Sequence, residues 1–271
     1  MSAKIKPDKL QESLRTKRFG KKVFFSHKVS STNEWAKELA KLGADEGTVT
    51  VAGTQTAGHG RLNREWISPE GGLWFSIVLR RKVRAAEGVQ LVFVVGLAVA
   101  EVLRGKYGVK VETKWPNDVL VNGKKICGIL IEMNTTGQKV NYIVAGIGIN
   151  VNFDVRRVLP EQLREVATSL ENELGRKIRL EELFRALLEN LEKIYDLYIL
   201  RGFTPVLEEW KKHANFLGHK VEVTNQKEKL SGLALDVDDE GALVLKLEDG
   251  KTRHVFVGDV SLHVSPSEAM L

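Results

Sequence analysis

Residues 109–132 read V-K-V-E-T-K-W-P-N-D-V-L-V-N-G-K-K-I-C-G-I-L-I-E. Residues 109–114 suit a strand that stops at Trp115-Pro116-Asn117-Asp118, because proline is rare inside a strand. Asn122-Gly123 is a hairpin signal between strands over 119–121 and 126–132. Side chains at such a stop can face a cleft, which singles out Lys114, Asn117 and Asp118. A plain turn capped by Asp118 explains the same residues equally well. Lys125 precedes a strand containing Gly128, and glycine there often marks the close approach of a ligand or another backbone. A hairpin-edge lysine facing water is the plain alternative.

Working outward, residues 22–26 suit a strand. Ser30-Ser31-Thr32-Asn33 then offers helix-start residues ahead of a helix over 34–40. Strands are expected over 48–54, 73–79 and 140–151, the last containing Gly146 and Gly148. Residues 89–103 are apolar on most faces and predict a buried helix. Residues 180–199 carry Leu183, Leu187, Leu191 and Ile194 on one helical stripe, and a further helix spans about 205–214. From Gly218 onward only short strands remain, over 220–224, 229–236, 242–247 and 252–257. The reading is an extension over 1–20, an α+β domain over 21–215 and a small all-β barrel over 216–271.

Composition narrows the function classes. A single cysteine, Cys127, cannot form an intrachain disulfide, and it reads as a small buried residue without a partner histidine. The N-terminus lacks the apolar core of a signal peptide. The longest apolar run, 91–100, is far below the roughly 18 residues of a membrane span. A cytoplasmic protein with no membrane partner is expected. The net charge of +6 suits phosphate ligands or an acidic protein as well as nucleic acid, and a solvated surface is the default reading. No P-loop pattern occurs. Gly58-His59-Gly60 begins like a dinucleotide fingerprint, but Asn63 replaces the third glycine. The histidines show no metal-ligand spacing.

The loop over 57–66, A-G-H-G-R-L-N-R-E-W, gathers His59, Arg61 and Arg64 between flexible glycines and ends in Trp66. Its amides and guanidinium forks could wrap a polyanion, and Trp66 could stack on a base. On composition alone, an exposed charged loop with Trp66 tucked into the core is favoured. Gly146-Ile147-Gly148-Ile149-Asn150 repeats the glycine-in-strand signal, for which a bulge is the alternative.

Taken in order, Ser31-Thr32-Asn33, Gln55, the 58–66 loop, Lys114 through Asp118, Lys125 through Gly128 and Gly146 through Asn150 resemble the biotin–protein ligase family. The match runs from about Phe24 to Asn152, and the β-rich tail resembles the family's small C-terminal barrel. Two positions depart from its pattern: His59 stands where arginine is common, and Asn63 where glycine is frequent.

The resemblance implies a class II synthetase-like catalytic domain, with a mixed central sheet flanked by helices, plus an SH3-like barrel. It implies a biotin–[acetyl-CoA-carboxylase] ligase, which makes biotinyl-5'-AMP from biotin and ATP and passes biotin to a carrier-protein lysine. Lys125, Arg61 and Asp118 would be catalytic, Asp118 orienting Lys125 or taking a proton from the incoming lysine. Ser31, Thr32, Asn33, Gln55, Gly58, His59, Gly60, Arg61, Lys125, Gly128 and Gly146 would surround biotin. Arg64, Trp66, Lys114, Asn117 and Asn150 would hold the adenylate, with Mg²⁺ on the polyphosphate and its ligands unassigned. Partners would be a biotin carboxyl carrier protein and a second copy of the chain, with no DNA. The alternatives are a lipoate-attaching enzyme and a bifunctional ligase/repressor relative. Such a repressor needs a DNA-binding domain, and residues 8–20 would be at most its remnant linker.

Overall fold

Two sheets hold the strands of the computed structural model, which describes residues 4–80, 85–137, 139–225 and 228–262. The first contains β1 (Val23–Val29), β2 (Val49–Gln55), β3 (Leu73–Leu79), β4 (Val111–Lys114), β5 (Asp118–Val121), β6 (Lys124–Thr136) and β7 (Lys139–Ile149). Their order is β1-β2-β3-β7-β6-β5-β4. β1 and β2 run parallel, joined by the crossover helix α1 (Thr32–Lys41), and the other neighbours are antiparallel. The sheet is therefore mixed, as expected.

Every residue of β3 is buried, because both faces of the sheet are covered. Leu73, Phe75, Ile77 and Leu79 enter the main core, whereas Val78 joins Ala36, Ala40, Tyr142 and Val144 under α1. The main-core face is covered by α3 (Leu91–Tyr107), which follows the short α2 (Ala85–Gly88). Twelve residues of α3 are buried, so it is a central helix rather than a surface one. It runs one turn past the expected end, to Gly108, whose left-handed φ of 69° closes it. Short helices α4 (Val155–Val158), α5 (Glu161–Arg164) and α6 (Leu170–Leu174) occupy a stretch to which the sequence assigned no element. Helices α7 (Leu180–Arg201) and α8 (Thr204–Lys211) then pack on α3.

The second sheet is antiparallel: β8 (Lys220–Thr224), β9 (Lys229–Val237), β10 (Leu243–Leu247), β11 (Thr252–Val255) and β12 (Asp259–Leu262), in the order β11-β10-β9-β8-β12. β12 was not anticipated. Residues 1–3 of the expected extension and 263–271 of the expected barrel lie outside the described residues. One hydrophobic cluster continues from α3 through Trp210 and Phe216 into Val221, Val237 and Leu245. The Trp115 indole donates to the Gly241 carbonyl at 2.9 Å, and Lys211 meets Asp236 at 2.8 Å, so the second sheet is held against the first.

The N-terminal segment is not a loose linker. Ile5, Leu10 and Phe19 are buried, and the segment lies along α7. The Glu192 carboxylate accepts backbone N–H bonds from Lys17 (2.6 Å), Arg18 (2.6 Å) and Phe19 (3.0 Å). Burial raises the Glu192 pKa, but these donors and Arg18 outweigh it and hold the group below its ordinary value of 4.5. A depressed carboxylate stabilises the fold above its unfolded pKa and loses that contribution as pH falls through its folded pKa. Glu192→Gln is expected to lower stability at neutral pH by about 1–3 kcal/mol. In melts at pH 7 and below pH 4, the gap between wild type and variant should shrink at the lower pH. An equal gap at both would contradict this assignment.

Candidate active site

Strand register lays the floor of the site. Asp118 of β5 pairs with Gly128 of β6, Gly128 with Gly148 of β7, and Gly148 with Trp74 of β3. Directly paired residues share a face, so two glycines lie side by side on the face that also carries α1. A side chain at Gly148 would come within 2.4 Å of the Trp66 indole nitrogen, and one at Gly128 within 3.0 Å of the same ring system. The approach that these glycines permit is that of Trp66. Gly146 similarly gives way to Asn33, whose Oδ1 lies 2.1 Å from where its Cβ would stand.

Above this floor is a cavity of about 510 Å³, a size ordinary for a small-molecule site. Ser31, Thr32, Asn33, Gln55, His59, Gly60, Arg61, Arg64, Trp66, Lys114, Asn117, Asp118, Lys125, Gly128, Gly146 and Asn150 all line it. Gly58 does not. Its missing side chain closes the loop instead, since a Cβ would lie 2.5 Å from the Trp66 carbonyl. Leu130, Ile147, Gly148, Asp259 and the 159–167 segment line the same cavity and were not foreseen as site residues.

One end is neutral and polar. The Gln55 Oε1 accepts from the Thr32 amide (2.8 Å) and hydroxyl (3.1 Å), while its Nε2 donates to Ser68 (2.8 Å). Ser31 stands at the N-cap of α1 but makes no side-chain capping bond, so Gln55 supplies the acceptor that the sequence assigned to the cap. Ser76 contacts Thr32 (2.8 Å) and Asn33 (2.6 Å), and Asn33 donates to Glu132 at 2.7 Å.

The other end is cationic. Lys125 Nζ lies 2.7 Å from Asp118 and 5.1 Å from the centre of the Trp66 ring. Arg61 donates to the Asn117 side chain (3.3 Å) and the Gly258 carbonyl (3.2 Å). Burial lowers the Arg61 pKa and Arg64 adds to this, while Asp259 and Asp118 oppose it. Asn117 is itself pinned by bonds in both directions to the Ile129 backbone. Asn150 is buried and donates to the Thr168 carbonyl.

The 57–66 loop folds as a tight hairpin. Gly60 donates to Arg64 and Trp66 to Gly58. Asn63 has a φ of 55°, which asparagine tolerates better than most residues, so its place at a glycine-favouring position has a backbone reason. His59 faces Glu34 at 4.0 Å. Among the described residues, Glu34, His59 and Glu132 form a group able to hold a metal, but the Lys37 ammonium already bonds both carboxylates at 2.6–2.7 Å. Burial lowers the Lys37 pKa, but these bonds outweigh it and hold it above its ordinary value. Cys127 is fully buried, and burial pushes its thiol pKa upward, so it is no nucleophile.

Residues 25–150 match the Biotin/lipoate A/B protein ligase family, and residues 216–263 the Biotin protein ligase C terminal domain. The bifunctional ligase/repressor BirA of Bacillus spizizenii is 38% identical over 263 residues, covering 95% of this chain and 80% of its own length. The biotin–[acetyl-CoA-carboxylase] ligase of Paracoccus denitrificans is 33% identical, covering 83% of this chain and 94% of its own length. Among solved structures, the biotin protein ligase of Aquifex aeolicus in complex with biotin and ATP superimposes with a TM-score of 0.77. It is 30% identical and covers 90% of this chain and all of its own. From its motifs, its fold and these likenesses, the chain belongs to the biotin–protein ligase family.

Proposed function

We propose that this chain is an ATP-dependent biotin–protein ligase. It forms biotinyl-5'-AMP and transfers biotin to a lysine of a biotin carboxyl carrier protein, as a biotin–[acetyl-CoA-carboxylase] ligase does. The observation that carries this reading is one cavity with a hydroxyl-and-amide end, an apolar and glycine-floored middle and a cationic end. Ser31, Thr32 and Gln55 suit a buried urea, which needs hydrogen-bond partners. Leu130, which pairs with Gly146 on the site face of the sheet, suits an apolar bicycle.

Activation brings the biotin carboxylate against the α-phosphate of ATP. Two unit charges about 4 Å apart repel by roughly 4 kcal/mol at an effective dielectric near 20. Lys125 and Arg61 are preplaced to offset that repulsion as the carboxylate oxygen attacks phosphorus and pyrophosphate leaves. Arg64 and Lys114 hold phosphates, while Trp66, Asn117 and Asn150 contact the adenylate. The carrier amine then attacks the anhydride carbonyl and AMP departs. Asp118 fixes the Lys125 ammonium and is assigned the amine's proton. The hairpin over 57–66 acts as a lid that keeps water from the anhydride.

Mg²⁺ bound with ATP would supply charge neutralisation of the polyphosphate. Asp118, Asp259 and Glu165 of the cavity wall already face cations, so phosphates and water suit its coordination better than these carboxylates do. Residues 21–215 are assigned the catalytic domain and 216–271 a companion domain. A cytoplasmic location and a homodimer paired through exposed sheet edges complete the reading. Lipoate is the competing substrate, and its lack of a urea sets it against the Thr32–Gln55 end; biotin labelling that excess lipoate abolishes would reverse that preference.

Transfer of labelled biotin to a carrier lysine should require ATP, and Lys125→Ala should reduce it by roughly 100-fold or more. A folded wild type that labels no carrier would remove the ligase reading. Gly148→Ala should push Trp66 off the sheet and weaken adenylate binding about ten-fold, with the melting temperature held. Unchanged adenylate affinity in that variant would dissociate Trp66 from the nucleotide.

A further inference from the structure

Nearly all charged side chains in the cavity come from residues 31–167; the exception is Asp259, the first residue of β12 in the C-terminal sheet. Its carboxylate lies 2.5 Å from Arg64 and 3.7 Å from Arg61. The neighbouring Gly258 carbonyl accepts the Arg61 guanidinium at 3.2 Å. Gly258 has no room for a side chain, because a Cβ would meet Val223 of β8 at 2.6 Å. The corner before β12 is thus pressed against its own sheet while its backbone and carboxylate reach into the cavity.

We propose that Asp259 is a positioning residue for the adenylation step: it gathers Arg61 and Arg64 into one clamp for the nucleotide phosphates before the nucleotide arrives. The proposal rests on the ligase reading above. Two guanidinium groups on one short loop repel each other, and Arg61 has also lost water to burial. A single carboxylate between them offsets both effects. Arg64 is largely exposed, with 63% of its side-chain surface open, so without this partner it would spread over many rotamers. The cost of ordering it would then fall on nucleotide binding. On this account the C-terminal sheet is part of the nucleotide site.

The test compares wild type, Asp259→Asn and Asp259→Glu by equilibrium dialysis with labelled ATP, by biotin binding and by steady-state transfer. Asp259→Asn keeps the size of the side chain and removes its charge. It should weaken ATP binding and raise the ATP KM about ten-fold, with kcat, biotin affinity and melting temperature within about two-fold or a degree or two of wild type. Asp259→Glu restores the charge and should recover most of the ATP affinity. ATP binding in Asp259→Asn as tight as wild type, or tighter, would overturn the proposal, because the carboxylate would then be indifferent or a competitor of phosphate. A joint fall of ATP affinity, biotin affinity and melting temperature would overturn it as well, marking a structural role. A wild type that binds ATP but transfers no biotin would sink the ligase reading, and the dialysis comparison would still decide the role of Asp259.

Discussion

The site depends on two missing side chains. Gly128 and Gly148 stand next to each other across β6 and β7, and the Trp66 indole rests over them. Any larger residue would lift the indole away from the sheet. The loop over 57–66 takes its place from that contact, with Gly58 closing it behind. Lys125 lies beside the same ring, so the floor that seats the indole also places the ammonium. A backbone register thereby becomes a chemical arrangement.

Charge is the second constraint. Lys125, Arg61 and Arg64 converge in one cavity, and each is met by a carboxylate, Asp118 or Asp259. Such pairs hold the cations in defined positions while leaving them able to face an anion. At the far end the polar groups are neutral and bonded to one another through Thr32, Gln55, Ser68 and Ser76. That division suits a ligand with a neutral polar head and an anionic tail.

Much of this was legible in the sequence. The apolar run over 73–79 marked β3, buried at every position, and Asn122-Gly123, with φ of 50° and 75°, marked the β5–β6 hairpin. Six separate stretches named as one motif set do line a single cavity. Other features depend on what comes near in space, which a single sequence does not record. Gly128 and Gly146 signalled close approach, but nothing local said that Trp66 and Asn33 would be the visitors. Ser68, Ser76 and Glu132 are ordinary residues whose importance comes from cross-strand neighbours. Asp259 follows a short tail strand and gives no local sign that it will reach Arg64, 195 positions earlier in the chain. The N-terminal segment, read as an extension, is docked by backbone amides that any sequence would offer to Glu192.

The central claim is that one cavity joins a biotin carboxylate to the α-phosphate of ATP. Exchange of labelled pyrophosphate into ATP, with no carrier protein present, reads that step alone. The account predicts exchange that requires biotin. Exchange that proceeds equally without biotin, or no exchange from folded protein supplied with biotin, ATP and Mg²⁺, would contradict it.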